Sequence, residues 1–94
     1  MTETVVVTRH LGLVEYLIEL GLCSKDTQVI QHGTAEDVQG KHVIGVLPMY
    51  LAVLAESITE VPMSIPEELR GQELTLEQML MYGGKLRTYR VTLV

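Results

Sequence analysis

The sequence lacks tryptophan and phenylalanine, and its 94 residues include a single cysteine, Cys23. One cysteine excludes an internal disulfide and any metal site built from several thiolates. Four tyrosines are the only aromatic residues although 47% of the chain is hydrophobic, so the interior must consist mainly of aliphatic side chains. Positive charge is also scarce. Seven Lys and Arg against twelve Asp and Glu give a net charge of −5, which excludes a protein that coats long nucleic acid through a broad basic surface.

Long apolar runs are missing as well. The longest stretch without a charged residue, residues 43–55, is interrupted by Pro48 and is too short to span a bilayer. The first residues carry no basic region or apolar segment of a secretory signal, so we expect a cytoplasmic protein with no membrane partner. The length fits one domain, residues 1–94. A domain of this size buries only about 60–65% of its unfolded surface, which favours a second copy that completes the burial.

Apolar and β-branched runs alternate with amphipathic stretches along the chain. Strands are predicted at residues 5–7, 27–31, 42–46, 61–65 and 86–94. Helices are predicted from residue 11 to Gly21, from Pro48 to residue 58 and from Thr75 to Tyr82, with a one-turn capping pattern at 34–37. This order predicts an α/β fold: a single small domain with a mainly parallel sheet and helices on both faces. Ligands bind such sheets beyond the carboxyl ends of the strands, so the residues there are candidate site residues.

Arg9 and His10 follow the first predicted strand and are the only adjacent guanidinium and imidazole in the chain. Arginine offers a rigid set of donors for a phosphate, and histidine is the usual proton-transfer group near neutral pH. The pair therefore predicts a phosphate-directed site. The alternative is structural: Arg9 would pair with a carboxylate, and His10 would cap the following helix.

Other candidates are weaker. His32 and His42 stand far apart in sequence without metal-ligand spacing, so we expect neither a metal nor another cofactor. A helix beginning at Pro48 would offer backbone N–H groups to an anion. Arg70, followed by Gly71, is a second candidate phosphate contact; as the alternative, Arg70 pairs in solvent with a neighbouring glutamate.

Three segments, VTRH near the start, VIGVLPMYLA in the middle and IPEELRGQELT towards the end, resemble a small family of CRISPR-associated accessory proteins of type III systems. The resemblance covers nearly the whole chain. One position departs from the family pattern, because Val46 stands where threonine usually precedes Leu-Pro, which puts one ligand hydrogen bond in doubt.

The resemblance implies a Rossmann-like fold related to the sensor domains that bind cyclic oligoadenylates, and a homodimer. It also implies a metal-independent ring nuclease that cleaves cyclic oligoadenylate, chiefly cyclic tetra-adenylate, to linear products. His10 would then be the general acid or base, with Arg9 and Arg70 on the scissile phosphate. The further ligand-binding residues would be Thr8, Gly45, Leu47, Pro48 and Gly71. The alternatives are a non-catalytic binding module, acting as a sponge or sensor, and a structural domain without a nucleotide ligand.

Overall fold

The computed structural model describes residues 2–94, apart from the side chain of Leu11. Its strands form one sheet in the order β2-β1-β3-β4-β5. The first four pair in parallel, and β5 runs antiparallel to β4. The predicted α/β fold with a mainly parallel sheet is therefore confirmed, and the arrangement is consistent with a Rossmann-like fold. The strands are β1 (Thr4–Val7), β2 (Gln28–Ile30), β3 (His42–Gly45), β4 (Ser57–Glu60) and β5 (Arg87–Tyr89).

Four α-helices, of which only two are longer than one turn, connect these strands in residues 2–94. They are α1 (Leu11–Glu19), α2 (Ala35–Val38), α3 (Met49–Ala52) and α4 (Leu76–Tyr82). A 3₁₀ turn, Glu67–Leu69, precedes α4. The predicted capping patterns are confirmed, because Thr34 and Thr75 each accept a hydrogen bond from the backbone N–H three residues on.

The valines of β1 are buried on both sides of the sheet. Val5 and Val7 pack in a core cluster with residues of α2 and α3, whereas Val6 packs with Ile44 and with Leu17 of α1. A continuous apolar run is what a strand covered on both faces requires. The helices therefore cover both faces, as the sequence predicts.

Helices α1 and α4 approach closely at Gly12. A Cβ at this position would lie 3.0 Å from Cε of Met79 and 3.1 Å from the carbonyl oxygen of Leu74. The absence of a side chain at Gly12 thus lets the segment before α4 pass beside the first turn of α1. This contact brings Glu73 to the start of α1, where the candidate site lies.

The prediction for residues 48–65 was wrong in two respects. The helix after Pro48 ends at Ala52, and Ile58 lies in β4, where it pairs with Val43 of β3. The fourth strand is therefore Ser57–Glu60, and the segment 61–65 that was predicted to be a strand comes after it. In that segment only Met63 makes a β-bridge, to Gly83. Ile58 is 8% exposed, so pairing with β3 buries this β-branched residue better than a solvent-exposed extra turn of helix would. The last strand is also shorter than predicted and covers only Arg87–Tyr89.

Candidate functional site

A cleft of about 520 Å³ opens at the carboxyl ends of β1, β2 and β3. Three loops form its walls, each beginning where one of these strands ends: Thr8–His10 after β1, Gln31–Gly33 after β2 and Val46–Pro48 after β3. The parallel order of the sheet places these three loops side by side. Of the residues selected from the sequence, the cleft brings together Thr8, Arg9, His10, Gly45, Leu47 and Pro48.

Gly45 fixes the floor of the cleft. Its φ of +141° lies in a region that favours glycine, and a Cβ there would collide with the carbonyl oxygen of Val7. Val7 and Gly45 are partners in the β1–β3 pairing. The close approach of the two strand ends therefore sets the distance between the loop that carries Arg9 and the loop that carries Leu47.

His10 occupies the N-cap position of α1, but its imidazole makes no capping hydrogen bond. The structural alternative, in which His10 caps the following helix, is therefore met by its position and not by a side-chain hydrogen bond. Its backbone N–H instead donates to the hydroxyl of Thr8 at 3.1 Å, and the N–H of Thr8 donates to the carbonyl of Ile30 at 2.9 Å. These bonds hold the loop against β2, so the imidazole is presented on an ordered backbone.

The guanidinium of Arg9 contacts a second histidine. Nη2 of Arg9 lies 3.3 Å from Nδ1 of His32, which follows β2. Within residues 2–94 Arg9 forms no ion pair with a carboxylate, contrary to the structural alternative. Sequence reasoning missed His32 in this role, although the strand-end rule also applies to the residues after the second strand.

Glu73 faces the imidazole of His10. Its Oε2 lies 3.7 Å from Nδ1 of His10, and the two side chains are 66% and 68% exposed. A second cavity of about 200 Å³ lies on this side of the imidazole and shares His10, Leu13 and Val61 with the cleft. His10 therefore stands between the two cavities. Sequence reasoning included Glu73 in a motif and as a possible ion-pair partner of Arg70, and gave it no role in the site.

Arg70 and Gly71 lie outside both cavities. Arg70 ends the 3₁₀ turn as an exposed residue, and neither it nor Gly71 is among the lining residues of the cleft. Within residues 2–94 Arg70 makes no ion pair either, so its pairing with a neighbouring glutamate is also not found. The structure thus does not bring the two predicted arginines together.

Helix α3 is shorter than the helix expected to begin at Pro48, and an anion bound at its backbone N–H groups stays a prediction. It spans only four residues, Met49–Ala52, and so lacks the aligned peptide dipoles of a longer helix. Pro48 is its N-cap, and the carbonyl of Pro48 accepts from the N–H groups of Leu51 and Ala52. Leu47, Pro48 and Tyr50 of this segment line the cleft.

The cleft favours anions. Its lining includes Arg9, His10 and His32, whereas no carboxylate is among its described residues. The nine-residue helix α1 begins at its edge, with no acidic residue in the first turn to offset the positive end of the helix dipole. Within residues 2–94, the cleft included, no group of three or more His, Cys, Asp and Glu side chains has an arrangement that could hold a metal ion.

Fold and cleft together define a small, mainly parallel α/β domain with an anion-favouring site at the carboxyl ends of its strands. Residues 5–92 match the family model described as "Putative CRISPR-associated protein (Cas_VVA1548)", and the chain belongs to this family. Searches of curated proteins and of solved structures find no match. None of the helices formed by residues 2–94 has the length and apolar character needed to cross a membrane.

Proposed function

We propose that this protein is a metal-independent ring nuclease. It binds a cyclic oligoadenylate, chiefly cyclic tetra-adenylate, and cleaves it to linear products that end in a 2′,3′-cyclic phosphate. Such cleavage switches off the antiviral signal of a type III CRISPR system in the cytoplasm. The observation that carries the proposal is the juxtaposition of Arg9 and His10 in a cleft whose described lining holds no carboxylate. Membership of a CRISPR-associated family supports the biological setting.

The proposed reaction uses the ribose next to the scissile phosphate. Nε2 of His10 removes the proton of the 2′-hydroxyl, and the 2′-oxygen attacks phosphorus. The bond between phosphorus and the 5′-oxygen breaks, and the leaving 5′-oxygen takes a proton from water. The products are a 5′-hydroxyl and a 2′,3′-cyclic phosphate. Alignment of the reacting atoms and general base catalysis account for the rate, the latter by about 10²–10⁴-fold.

The contacts of His10 fit the role of base. Glu73 faces Nδ1, and a carboxylate at that nitrogen favours a proton there, which leaves the lone pair on Nε2. Arg9 fits the role of phosphate ligand, because its guanidinium has five N–H donors and only one nitrogen is engaged with His32. Thr8 holds the loop through its hydroxyl oxygen and can still donate the hydroxyl proton to the ligand.

A homodimer is part of the proposal. Val46, Met49 and Tyr50 of the β3–α3 segment are 79%, 75% and 72% exposed, and Val46 and Tyr50 line the cleft. Large apolar side chains in one patch are typical of interaction surfaces. A two-fold dimer would present two copies of Arg9 and His10 to a ring that can itself be two-fold symmetric. Calorimetry should then give one ring per dimer, and a stoichiometry of one ring per protomer contradicts this arrangement.

The test is incubation of the purified protein with labelled cyclic tetra-adenylate in excess EDTA, followed by separation of the products. Repeated turnover to linear product supports the ring nuclease. A bound but intact ring supports a binding module, and neither binding nor cleavage refutes both nucleotide functions. His10→Ala should lower the rate by about 10²–10⁴-fold with little effect on binding. Arg9→Ala should weaken binding, whereas Lys25→Ala, which removes a cation away from the cleft lining, should not.

A further inference from the structure

The contact between Arg9 and His32 indicates which ring nitrogen of His32 carries the proton. A guanidinium has N–H donors and no acceptor, so Nδ1 of His32 must supply the lone pair at this distance of 3.3 Å. In this contact His32 is a neutral imidazole that carries its proton on Nε2. The tautomer thus follows from the chemistry of its partner.

The contacts of the two histidines therefore favour opposite tautomers. The carboxylate of Glu73 favours a proton on Nδ1 of His10, so that Nε2 holds a lone pair. Arg9 requires the reverse at His32, where Nε2 holds the proton. One imidazole is therefore prepared to accept a proton, and the other to donate a hydrogen bond.

We propose that His32 is a third catalytic residue of the cleft, which donates a hydrogen bond from Nε2–H to a non-bridging oxygen of the scissile phosphate. This inference rests on the proposed nuclease function. His32 does not transfer its proton, because loss of the Nε2 proton while Nδ1 accepts from Arg9 would leave an imidazolate. It stabilises the negative charge on phosphate in the transition state, and through Nδ1 it also orients the guanidinium that binds the same group.

A glutamine distinguishes this role from proton transfer. In His32→Gln the amide oxygen can accept from Arg9 and the amide N–H can donate to phosphate, whereas His32→Ala removes both. A hydrogen bond to a charged group contributes about 1.5–3 kcal/mol, so His32→Ala should lower kcat/KM by about 10–100-fold. His32→Gln should stay within a few-fold of the wild type. His10→Gln should be as inactive as His10→Ala, because an amide is not a base. Thermal unfolding of each variant establishes that the comparison is between folded proteins.

Two outcomes overturn the proposal: a His32→Ala variant as active as the wild type, or a His32→Gln variant as inactive as His32→Ala. Failure of the proposed function is different, because the wild type itself then leaves the ring intact. The tautomer is measured without any substrate by long-range ¹H–¹⁵N correlation spectra of the free protein. A proton on Nε2 of His32 supports the assignment, and a proton on Nδ1 overturns it whatever the activity.

Discussion

Replacing Gly45 by alanine tests the geometry on which the cleft depends. The new Cβ would collide with the carbonyl oxygen of Val7 and would lie 3.3 Å from its carbonyl carbon and 3.6 Å from its Cβ. The backbone of Gly45, at φ +141°, also favours glycine. Because the colliding oxygen belongs to the backbone of the neighbouring strand, no side-chain rotation can relieve the contact. The strand ends must separate or one peptide group must rotate.

Two costs therefore add at this position. An unfavourable backbone conformation costs about 1–3 kcal/mol. Overpacking in a tight site costs about 1–3 kcal/mol more, so we expect a loss of about 2–6 kcal/mol in the free energy of unfolding. A domain of 94 residues has a total of only about 5–14 kcal/mol. Urea unfolding should accordingly show a much lower midpoint for Gly45→Ala. The folded fraction should also lose ring cleavage, since the loops after β1 and β3 move apart.

Gly21→Ala is the matched control. Gly21 has φ +77°, but a Cβ built there has no atom within 4 Å, so the variant carries the backbone cost without the collision. We expect it to lose only about 1–2 kcal/mol. If Gly45→Ala and Gly21→Ala lose the same stability, the collision with Val7 has no energetic weight and the reasoning about the cleft floor is refuted.

Three further substitutions test single contacts. Glu73→Gln should lower kcat for ring cleavage by only about 2–5-fold at unchanged KM, because the contact with His10 is exposed. Equal kcat for wild type and variant would refute this positioning role. Glu67→Gln, outside both cavities, is the control. Thr75→Ala removes the N-cap of α4 and should cost about 1 kcal/mol in urea unfolding, and a loss near zero would mean that this cap does not contribute. The side-chain hydroxyl and backbone N–H of Thr34 donate to Asp37 and lower the pKa of its carboxyl group in the folded protein. The ionised carboxylate therefore stabilises the fold at pH values above its unfolded pKa. This stabilisation is lost as the pH falls through the pKa of the folded protein. Asp37→Asn should therefore be less stable than the wild type at neutral pH, with a difference that closes below about pH 4; a pH-independent difference contradicts the assignment.

The sequence predicted those elements whose burial is decided within a few residues. Val5–Val7 had to be a covered strand because three consecutive β-branched residues have no polar face to expose. Thr75 defined the start of α4 through a capping pattern that is complete within four residues. The segment after Pro48 was different. The pattern of its apolar residues is compatible with either a helix or a strand. Residues 57–60 form a strand because they pair with β3, and pairing with a segment earlier in the chain cannot be predicted from local periodicity.

The same distinction applies to the candidate site. Arg9 and His10 were predictable because they follow a strand directly. His32 reaches Arg9 only because β2 is the neighbour of β1 in the sheet, and strand order is not encoded in the composition of either segment. Glu73 reaches His10 across 63 residues of sequence, through the close packing of α4 and its preceding loop on Gly12. Partners brought together by tertiary packing are thus the part that sequence reasoning could not supply.

The distribution of charge is compatible with the proposed binding of a small anion by an acidic chain. Away from the cleft, Lys41 lies 3.1 Å from Glu3 and Arg90 lies 3.0 Å from Glu56, so these cations are offset by carboxylates. Arg9 instead has a histidine as its partner and keeps its charge available to a ligand. Under the proposed function, a long nucleic acid would meet a protein with a net charge of −5, whereas a small ring needs only the cations at the strand ends. Since the salt dependence of binding scales with the number of phosphates neutralised, ring binding should weaken only slightly as salt is raised.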